Sequence, residues 1–276
     1  MRNLKVALIQ MNPKPYELEY NLNLFLSIAT KAIEQDAKLI VLPELFDSGY
    51  SVDEKDFAMD FSKINENETL QTLSAFAKKN KIHIIACSIE KDEDKLYDTA
   101  YIIDSKGTFI GKQRKMYLWG GEKQRFSEGE KQEVFELDFD EFRAKIGVGI
   151  CYEIGFSEVA RTLALQGAEI LIYPSAFGKA RAYVWDLASR ARALENGCYI
   201  LACNRSGEEI HRITKEQFQF AGCSRVIDPK GEVIAQVKSE NECLIATIDI
   251  DQIYKQREAL PYLKDIHTKL SKGAML

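Results

Sequence analysis

Three side chains of the kinds that carry out acyl transfer lie at the ends of predicted strands. Cys151 follows the apolar run of residues 146–150, Glu44 follows the apolar run of residues 39–43, and Lys115 closes a predicted strand meander. A strand end fixes the backbone while the side chain stays at an open edge of the sheet. The thiol can then attack a carbonyl, the carboxylate can take its proton, and the ammonium can stabilise the oxyanion. This set of residue types therefore predicts acyl transfer through a thioester.

The elements that position these side chains alternate between strands and helices. Apolar periodicity predicts four helices, at residues 18–35, 68–79, 157–166 and 181–195. Short apolar runs between the helices predict strands, and polar turns at residues 91–95 and 104–107 join some of them into a meander. Because crossovers are mixed with hairpins, we expect an α/β fold of two mixed β-sheets covered by helices.

The length and the even composition predict a single domain over residues 1–276. The chain is 46% hydrophobic and 29% charged, and no linker, repeat or low-complexity tract divides it. We expect the core to occupy about residues 1–250. The charged tail of about residues 251–276 has few apolar side chains to bury, so we expect it to pack on a neighbouring subunit or to fray.

Charge and hydropathy exclude several classes of function. The net charge of −5 gives no support for nucleic-acid binding. No stretch approaches the roughly 20 apolar residues that cross a bilayer. The first ten residues predict a strand rather than a signal peptide. We therefore expect a cytoplasmic protein with a small-molecule substrate and with neither nucleic acid nor membrane as a partner.

The remaining cysteines and histidines do not form a competing site. The six cysteines contain no C-x-x-C pair, and four of them are predicted to be small buried hydrophobic residues: Cys87, Cys198, Cys223 and Cys243. A Cys–His site is disfavoured, because His83 is predicted to pack in the core and His211 and His267 to be solvated. Without an H-x-x-x-H pair or a phosphate-binding glycine loop, we expect no metal and no cofactor.

The order and spacing of the three side chains resemble the motifs of the carbon–nitrogen hydrolases of the nitrilase superfamily. The matching segments are Leu-Pro-Glu44-Leu-Phe, Arg-Lys115-Met-Tyr-Leu and Gly-Ile-Cys151-Tyr-Glu, and the similarity continues to about Asp249. The resemblance implies a four-layer α-β-β-α sandwich that assembles as a homodimer or larger homo-oligomer. It also implies that Cys151 is the nucleophile, Glu44 the general base and Lys115 the oxyanion stabiliser. By the same resemblance, Glu122 holds Lys115 and the substrate.

The chain departs from the family pattern beside the nucleophile. Gly155 stands where many members carry an arginine that can pair with an acidic substrate. Its presence disfavours an N-carbamoyl-D-amino acid bound in that manner, although Lys179 or Arg181 can still supply a positive charge. The predicted substrate contacts are Tyr50, Tyr152, Glu153, Ser175 and Phe177. For Glu153, a structural role as a hydrogen-bond acceptor is the alternative.

The predicted function is thiol-dependent hydrolysis of a small-molecule amide or N-carbamoyl amide, with release of ammonia. Nitrile hydrolysis by the same site is one alternative, and acyl transfer to a nucleophile other than water is another. From a different class, the alternative is a non-catalytic interaction module of the same fold. The presence of Glu44, Lys115 and Cys151 together disfavours that module, because a protein without chemistry has no need of all three.

Overall fold

The computed structural model describes residues 2–50, 67–211 and 215–270. Most of the polar segment predicted after Glu44 lies outside these ranges, as does the side chain of His267. The architecture below concerns the described residues.

The first sheet has six strands in the order β14-β1-β2-β3-β4-β5. Its strands are β1 (Asn3–Gln10), β2 (Leu39–Val41), β3 (His83–Asp92), β4 (Lys95–Ile103), β5 (Phe109–Arg114) and β14 (Glu242–Asp249). Strands β1, β2 and β3 run parallel, and the other pairings are antiparallel. The sheet is therefore mixed, as the combination of crossovers and hairpins predicted.

The second sheet repeats this plan, in the order β13-β12-β9-β8-β7-β6. Its strands are β6 (Val134–Asp138), β7 (Arg143–Val148), β8 (Ile170–Ser175), β9 (Tyr199–Asn204), β12 (Arg225–Ile227) and β13 (Val233–Gln236). Here β7, β8 and β9 are parallel. A small antiparallel ribbon, β10 (Glu208–Ile210) with β11 (Gln217–Gln219), stands apart from both sheets.

Helices cover the outer faces of both sheets. The helices of the described residues are α1 (Leu18–Glu34), α2 (Glu68–Asn80), α3 (Glu122–Arg125), α4 (Ser157–Leu165), α5 (Ala182–Asn196), α6 (Asp251–Ala259) and α7 (Tyr262–Leu270). Helices α1 and α2 pack on the first sheet, and α4 and α5 pack on the second. Across the described ranges, no helix combines the length and the apolar character that a membrane span requires.

The alternation of side chains along β1 shows why the sheets stack. Val6 and Leu8 point between the sheets, into a core shared with strands of the second sheet. Ala7 and Ile9 point the other way and pack with Phe25 of α1. Because successive side chains of a strand face opposite sides, an apolar strand of this kind must be covered on both faces. The predicted four-layer α-β-β-α sandwich of two mixed sheets is confirmed.

The C-terminal segment differs from the predicted frayed tail. Residues 251–270 form α6 and α7, which lie against the chain itself: Ile253 is fully buried, and Arg257 donates hydrogen bonds to the carbonyl oxygens of Asn196 and Ala168. A single buried apolar residue in a charged helix is a weak sequence signal. The docking of α6 depends on the long side chain of Arg257, which reaches carbonyl groups at helix and strand ends.

Candidate active site

Glu44 and Cys151 occupy equivalent positions in the two sheets. Glu44 is the third residue after β2, and Cys151 is the third residue after β7. Both strands belong to the parallel part of their sheet, and Lys115 directly follows β5. Because the sheets stack face to face, the strand ends bring these three side chains to one place between the layers.

The backbone at Cys151 is held in a tight turn. Cys151 has φ 48°, in the left-handed region, and it begins a 3₁₀-helix, Cys151–Gly155. A β-carbon at Gly149 would lie only 2.7 Å from Cε1 of Tyr173, so this approach requires glycine. A left-handed conformation at a non-glycine residue persists only where the surroundings impose it, and such residues cluster at functional sites.

The carboxylate of Glu153 imposes that turn. One oxygen accepts a hydrogen bond from the Ile150 amide at 2.6 Å, and the other accepts from the Met116 amide at 2.9 Å and the Tyr117 amide at 3.4 Å. Burial raises the pKa of Glu153 to about 7, although these amides favour the ionised form. Glu153 is fully buried and joins the Cys151 turn to the segment after Lys115. The prediction of Glu153 as a substrate contact is corrected: the side chain is a structural acceptor.

Three carboxyl groups surround the ammonium of Lys115. The Nζ atom lies 2.6 Å from Oε1 of Glu44, 2.8 Å from Oε2 of Glu122 and 3.4 Å from Oδ2 of Asp98. Burial alone would lower the pKa of Lys115, but the charges of Glu122, Glu44 and Asp98 outweigh it and raise that pKa. The lysine is therefore a fully buried, charged ammonium.

The same carboxyl groups have the spacing of a cation site, and Lys115 supplies the cation. Oxygens of Glu44, Asp98 and Glu122 lie within 4.8 Å of one another. Since the Lys115 ammonium contacts all three groups, the donor set fits a lysine in that position rather than a metal ion. We call Glu44, Asp98, Lys115, Glu122 and Cys151 the floor cluster. Asp98, on β4, belongs to no motif, and the sequence analysis missed it.

Glu44 and Cys151 are directly coupled. Burial is the main cause that raises the pKa of Glu44 to about 7; Lys115 opposes the rise and Asp98 adds to it. Burial, together with the charge of the neighbouring Glu44 carboxylate, raises the pKa of the Cys151 thiol. The second oxygen of Glu44 accepts a hydrogen bond from the Ala176 amide at 2.7 Å. The thiol is thus protonated at rest, with a base of near-neutral pKa beside it.

A cavity of about 560 Å³ opens above the floor cluster, and Cys151 and Glu122 line it. Three predicted substrate contacts, Tyr50, Tyr152 and Phe177, line the cavity as well. The Tyr50 hydroxyl donates a hydrogen bond of 2.6 Å to Oε1 of Glu122.

Ser175, also predicted as a substrate contact, does not line this cavity. It is fully buried, and its hydroxyl donates to the carbonyl oxygen of Tyr173 at 3.2 Å. Ser175 is still within β8, so the ladder and the core enclose its side chain. The prediction is corrected for this residue: the strand runs past it, and the lining begins at Ala176.

The mouth of the cavity contains residues that no motif indicated. We call Trp119, Arg181, His211, Phe218 and Phe220 the rim; all five line the cavity. The Arg181 guanidinium lies over the Trp119 ring at 4.7 Å from its centroid, a cation–π contact. His211 was predicted to be solvated in a polar loop, and the structure places it in the lining instead. Its position depends on the ribbon of β10 and β11, whose pairing the sequence analysis did not include.

Gly155, where the family pattern has an arginine, leaves its side of the cavity open. A β-carbon there would meet no atom within 4 Å. Arg181 is the nearby alternative: its Nη2 atom lies 3.4 Å from the position of a β-carbon at Gly178, another lining residue. Arg181, in the segment after β8, therefore supplies positive charge to this cavity, as does Arg125 of α3, which also lines it.

Comparison with known proteins agrees with this architecture. A family model described as carbon–nitrogen hydrolase matches residues 5–258. A nitrilase of Pyrococcus abyssi is 37% identical over 260 residues, which cover 92% of this chain and 93% of that protein. The omega-amidase NIT2 of Xenopus tropicalis is 32% identical over 272 residues, 95% of this chain and 94% of its own.

A solved structure has the same fold. The crystal structure of Nit3 from Saccharomyces cerevisiae, a member of branch 10 of the nitrilase superfamily, has a TM-score of 0.84. It is 33% identical to this chain, and the match covers 94% of each chain. With the family model spanning nearly the whole sequence, the assignment is direct. The chain belongs to the carbon–nitrogen hydrolase family of the nitrilase superfamily.

Proposed function

We propose that this carbon–nitrogen hydrolase cleaves a small-molecule amide and releases ammonia through a thioester on Cys151. The observation that carries the proposal is the thiol of Cys151 in the lining of the cavity, beside the carboxylate of Glu44, which contacts the Lys115 ammonium at 2.6 Å. A nucleophile, a base that touches it and a buried cation are the parts that acyl transfer requires.

In the first half of the reaction, Glu44 takes the thiol proton as the Cys151 sulfur attacks the amide carbon. The oxygen of that carbonyl becomes an oxyanion, which Lys115 and the backbone N–H of Tyr152 stabilise. The C–N bond then breaks, and the proton held on Glu44 passes to the leaving nitrogen, so ammonia departs. The raised pKa of the thiol requires this concerted base, because the free thiolate is scarce in so buried a site.

In the second half, water attacks the thioester carbon and Glu44 takes a proton from that water. The C–S bond breaks, the carboxylic acid leaves, and the proton returns to Cys151. Glu122 acts from the other side of Lys115: it accepts from the ammonium and from the Tyr50 hydroxyl, so it holds the cation and one wall of the cavity together. Glu44 must be ionised at both attacks, so the rate should rise with pH through about 7.

The cavity supports a small substrate with an apolar part. Its volume of about 560 Å³ lies in the range of small-molecule sites, and its wall is rich in aromatic rings. The named relatives are an omega-amidase and a nitrilase, so an amide is the first candidate substrate and a nitrile the second. An N-carbamoyl amide remains a further candidate, since its carbonyl would meet the same thiol.

The test is release of ammonia from a panel of amides, ω-amides, carbamoyl amides and nitriles. We expect release by the native protein and none by the Cys151→Ala variant. The Cys203→Ala variant is the matched control, because Cys203 is a buried cysteine that does not line the cavity and donates to the backbone carbonyls of Ile9 and Val41. Faster turnover of nitriles than of amides would assign the second candidate. Silence across the panel, with Cys151 alkylated by iodoacetamide no faster than the other cysteines, would favour a non-catalytic module.

We also propose that the protein is a homodimer that pairs through α5. Tyr183 and Leu187 are 67% and 63% exposed, and Leu194 is 42% exposed on the same helix. Their spacing places them on one side, where a large apolar surface faces solvent. Light scattering after gel filtration should give a dimer for the native protein and a monomer for Leu187→Glu. Leu260→Glu, at a similar exposed position outside α5, should remain dimeric.

A further inference from the structure

We propose that Asp98 and Glu44 share one proton, and that Asp98 thereby sets the pH above which Glu44 can act as base on Cys151. This inference rests on the proposed function of Glu44, and it makes Asp98 a positioning residue that acts through Glu44. The family motifs do not include Asp98; it lies inside β4 rather than at a strand end.

The geometry around Lys115 requires a retained proton. Glu44, Asp98 and Glu122 all contact one ammonium, so full ionisation would place three negative charges against one positive charge, a net charge of −2. Glu44, Asp98 and Lys115 have no exposed side-chain area, and Glu122 is 5% exposed. Because an uncompensated buried charge costs several kcal/mol, at least one carboxyl group holds a proton at neutral pH.

The contacts of each carboxyl group indicate where that proton resides. Glu122 accepts from Lys115, the Tyr50 hydroxyl and the Trp119 amide, so donors already occupy both of its oxygens. Asp98 lies 3.4 Å from the Lys115 nitrogen, farther than Glu44 and Glu122, and one of its oxygens lies within 4.8 Å of an oxygen of Glu44. Burial raises the pKa of both Asp98 and Glu44. The proton is therefore shared by this pair, which titrates as one unit.

Cys87 biases the pair. Its thiol, on β3, donates a hydrogen bond of 3.0 Å to Oδ1 of Asp98 and so favours the aspartate anion. With Asp98 ionised, the shared proton lies on Glu44, and Glu44 becomes a free base only near neutral pH. The charged and titratable groups facing Asp98 are thus Glu44, Lys115, Glu122 and Cys87, and Lys115 is the one cation among them. Cys87, predicted as a plain core residue, has a polar role here.

The experiment compares Asp98→Asn and Cys87→Ala with Cys203→Ala. Two pH profiles are measured for each protein: kcat/KM for amide hydrolysis, and the rate of Cys151 alkylation by iodoacetamide. Asparagine lacks the charge that keeps the proton on Glu44, so the acid limb of both profiles should move to lower pH by roughly one unit, a tenfold change in proton affinity. Cys87→Ala should shift it the same way by less, since Asp98 then holds the proton more readily. Cys203→Ala should keep the native profile.

Each outcome decides a separate point. An acid limb that stays in place in Asp98→Asn overturns the proton-sharing proposal, while ammonia release by the native protein leaves the proposed function intact. If Asp98→Asn does not fold, the Cys87→Ala profile decides, and an acid limb equal to that of Cys203→Ala overturns the proposal. If no amide is hydrolysed, the proposed function fails, and the alkylation profile still tests the shared proton because it needs no substrate.

Discussion

The floor cluster and the rim of the same cavity are built in opposite ways. Floor residues are buried, and the charged ones form ion pairs with one another. Lys115, for example, contacts three carboxyl groups. The rim includes exposed side chains on short segments. Trp119 is 37% exposed, and the guanidinium of Arg181 lies over its ring. The difference indicates that the bond-breaking groups are pre-organised by the two sheets, whereas substrate choice is left to connecting segments.

The sharpest way to break the floor is to remove its nucleophile. We expect Cys151→Ala to reduce kcat by about 10⁴-fold or more, because no thioester can form, whereas the unfolding temperature should change little. Ammonia release and thermal unfolding measure the two effects. If ammonia release persists at more than a hundredth of the native rate, on the order of 10⁻², Cys151 is not the nucleophile.

Removing the cation at the centre of the floor should have the next largest effect. Lys115→Met leaves Glu44, Asp98 and Glu122 without their common partner, so we expect a loss of about 3–5 kcal/mol in unfolding free energy. Loss of the oxyanion contact should lower kcat by about 10²–10³-fold in whatever fraction folds. Denaturant unfolding and single-turnover kinetics separate these effects. The control is Lys123→Met, at an exposed position of α3, which should behave as the native protein.

A variant beneath the floor tests whether its geometry depends on Glu153. Glu153→Gln replaces one accepting oxygen by an NH₂ group, so either the Ile150 amide or the Met116 amide loses its acceptor. We expect a cost of about 1–3 kcal/mol in unfolding free energy. We also expect kcat to fall more than KM changes, because Cys151 is displaced. Glu158→Gln, on the exposed surface of α4, should leave both quantities unchanged; an equal effect there would deny Glu153 a special role.

A substitution in the rim should change KM rather than kcat, unlike the substitutions in the floor. Arg181→Ala should raise KM about tenfold for amides that carry a carboxylate and leave kcat within roughly twofold, because a charge-assisted contact at the mouth binds without touching the reacting atoms. Neutral amides should be unaffected. Lys179→Ala is the matched control: Lys179 is an exposed cation in the same short 3₁₀-helix as Arg181, Lys179–Arg181, and does not line the cavity. A fall in kcat without a change in KM would remove the distinction between rim and floor.

The local sequence pattern was sufficient to predict most of the helices and strands around the floor. The helix predicted at residues 18–35 is observed at Leu18–Glu34, and the one predicted at 181–195 at Ala182–Asn196. Both helices pack on a sheet, but only α1 buries its large apolar side chains there, among them Leu22 and Phe25. In α5, Leu187 and Leu194 are exposed, and the buried face is that of Trp185 and Ala188. The helices of the C-terminal segment were not predicted, because Ile253 is the single buried residue of α6 and the docking of α6 depends on Arg257 meeting distant carbonyl groups.

The residues of the site fall into the same two groups, those that the sequence indicated and those that it did not. Order and spacing in the sequence were enough to select Glu44, Lys115 and Cys151, since each follows or closes a strand whose end can be read from local pattern. Glu122 was selected by the family resemblance. Asp98 and Cys87 stand in the middle of apolar strands, and only the pairing of β3 with β4 brings their side chains together.

What the sequence by itself determined is therefore the family, the stacked sheets and the set of groups available for chemistry. Tertiary structure alone decided that three carboxyl groups meet one ammonium, that Glu153 serves the backbone, and that Arg181 and His211 reach the mouth of the cavity. The physical reason is the separation along the chain of the residues that interact. Helix and strand periodicity depends on residues a few positions apart, whereas charge balance and cavity shape depend on groups brought together from strands far apart in the chain.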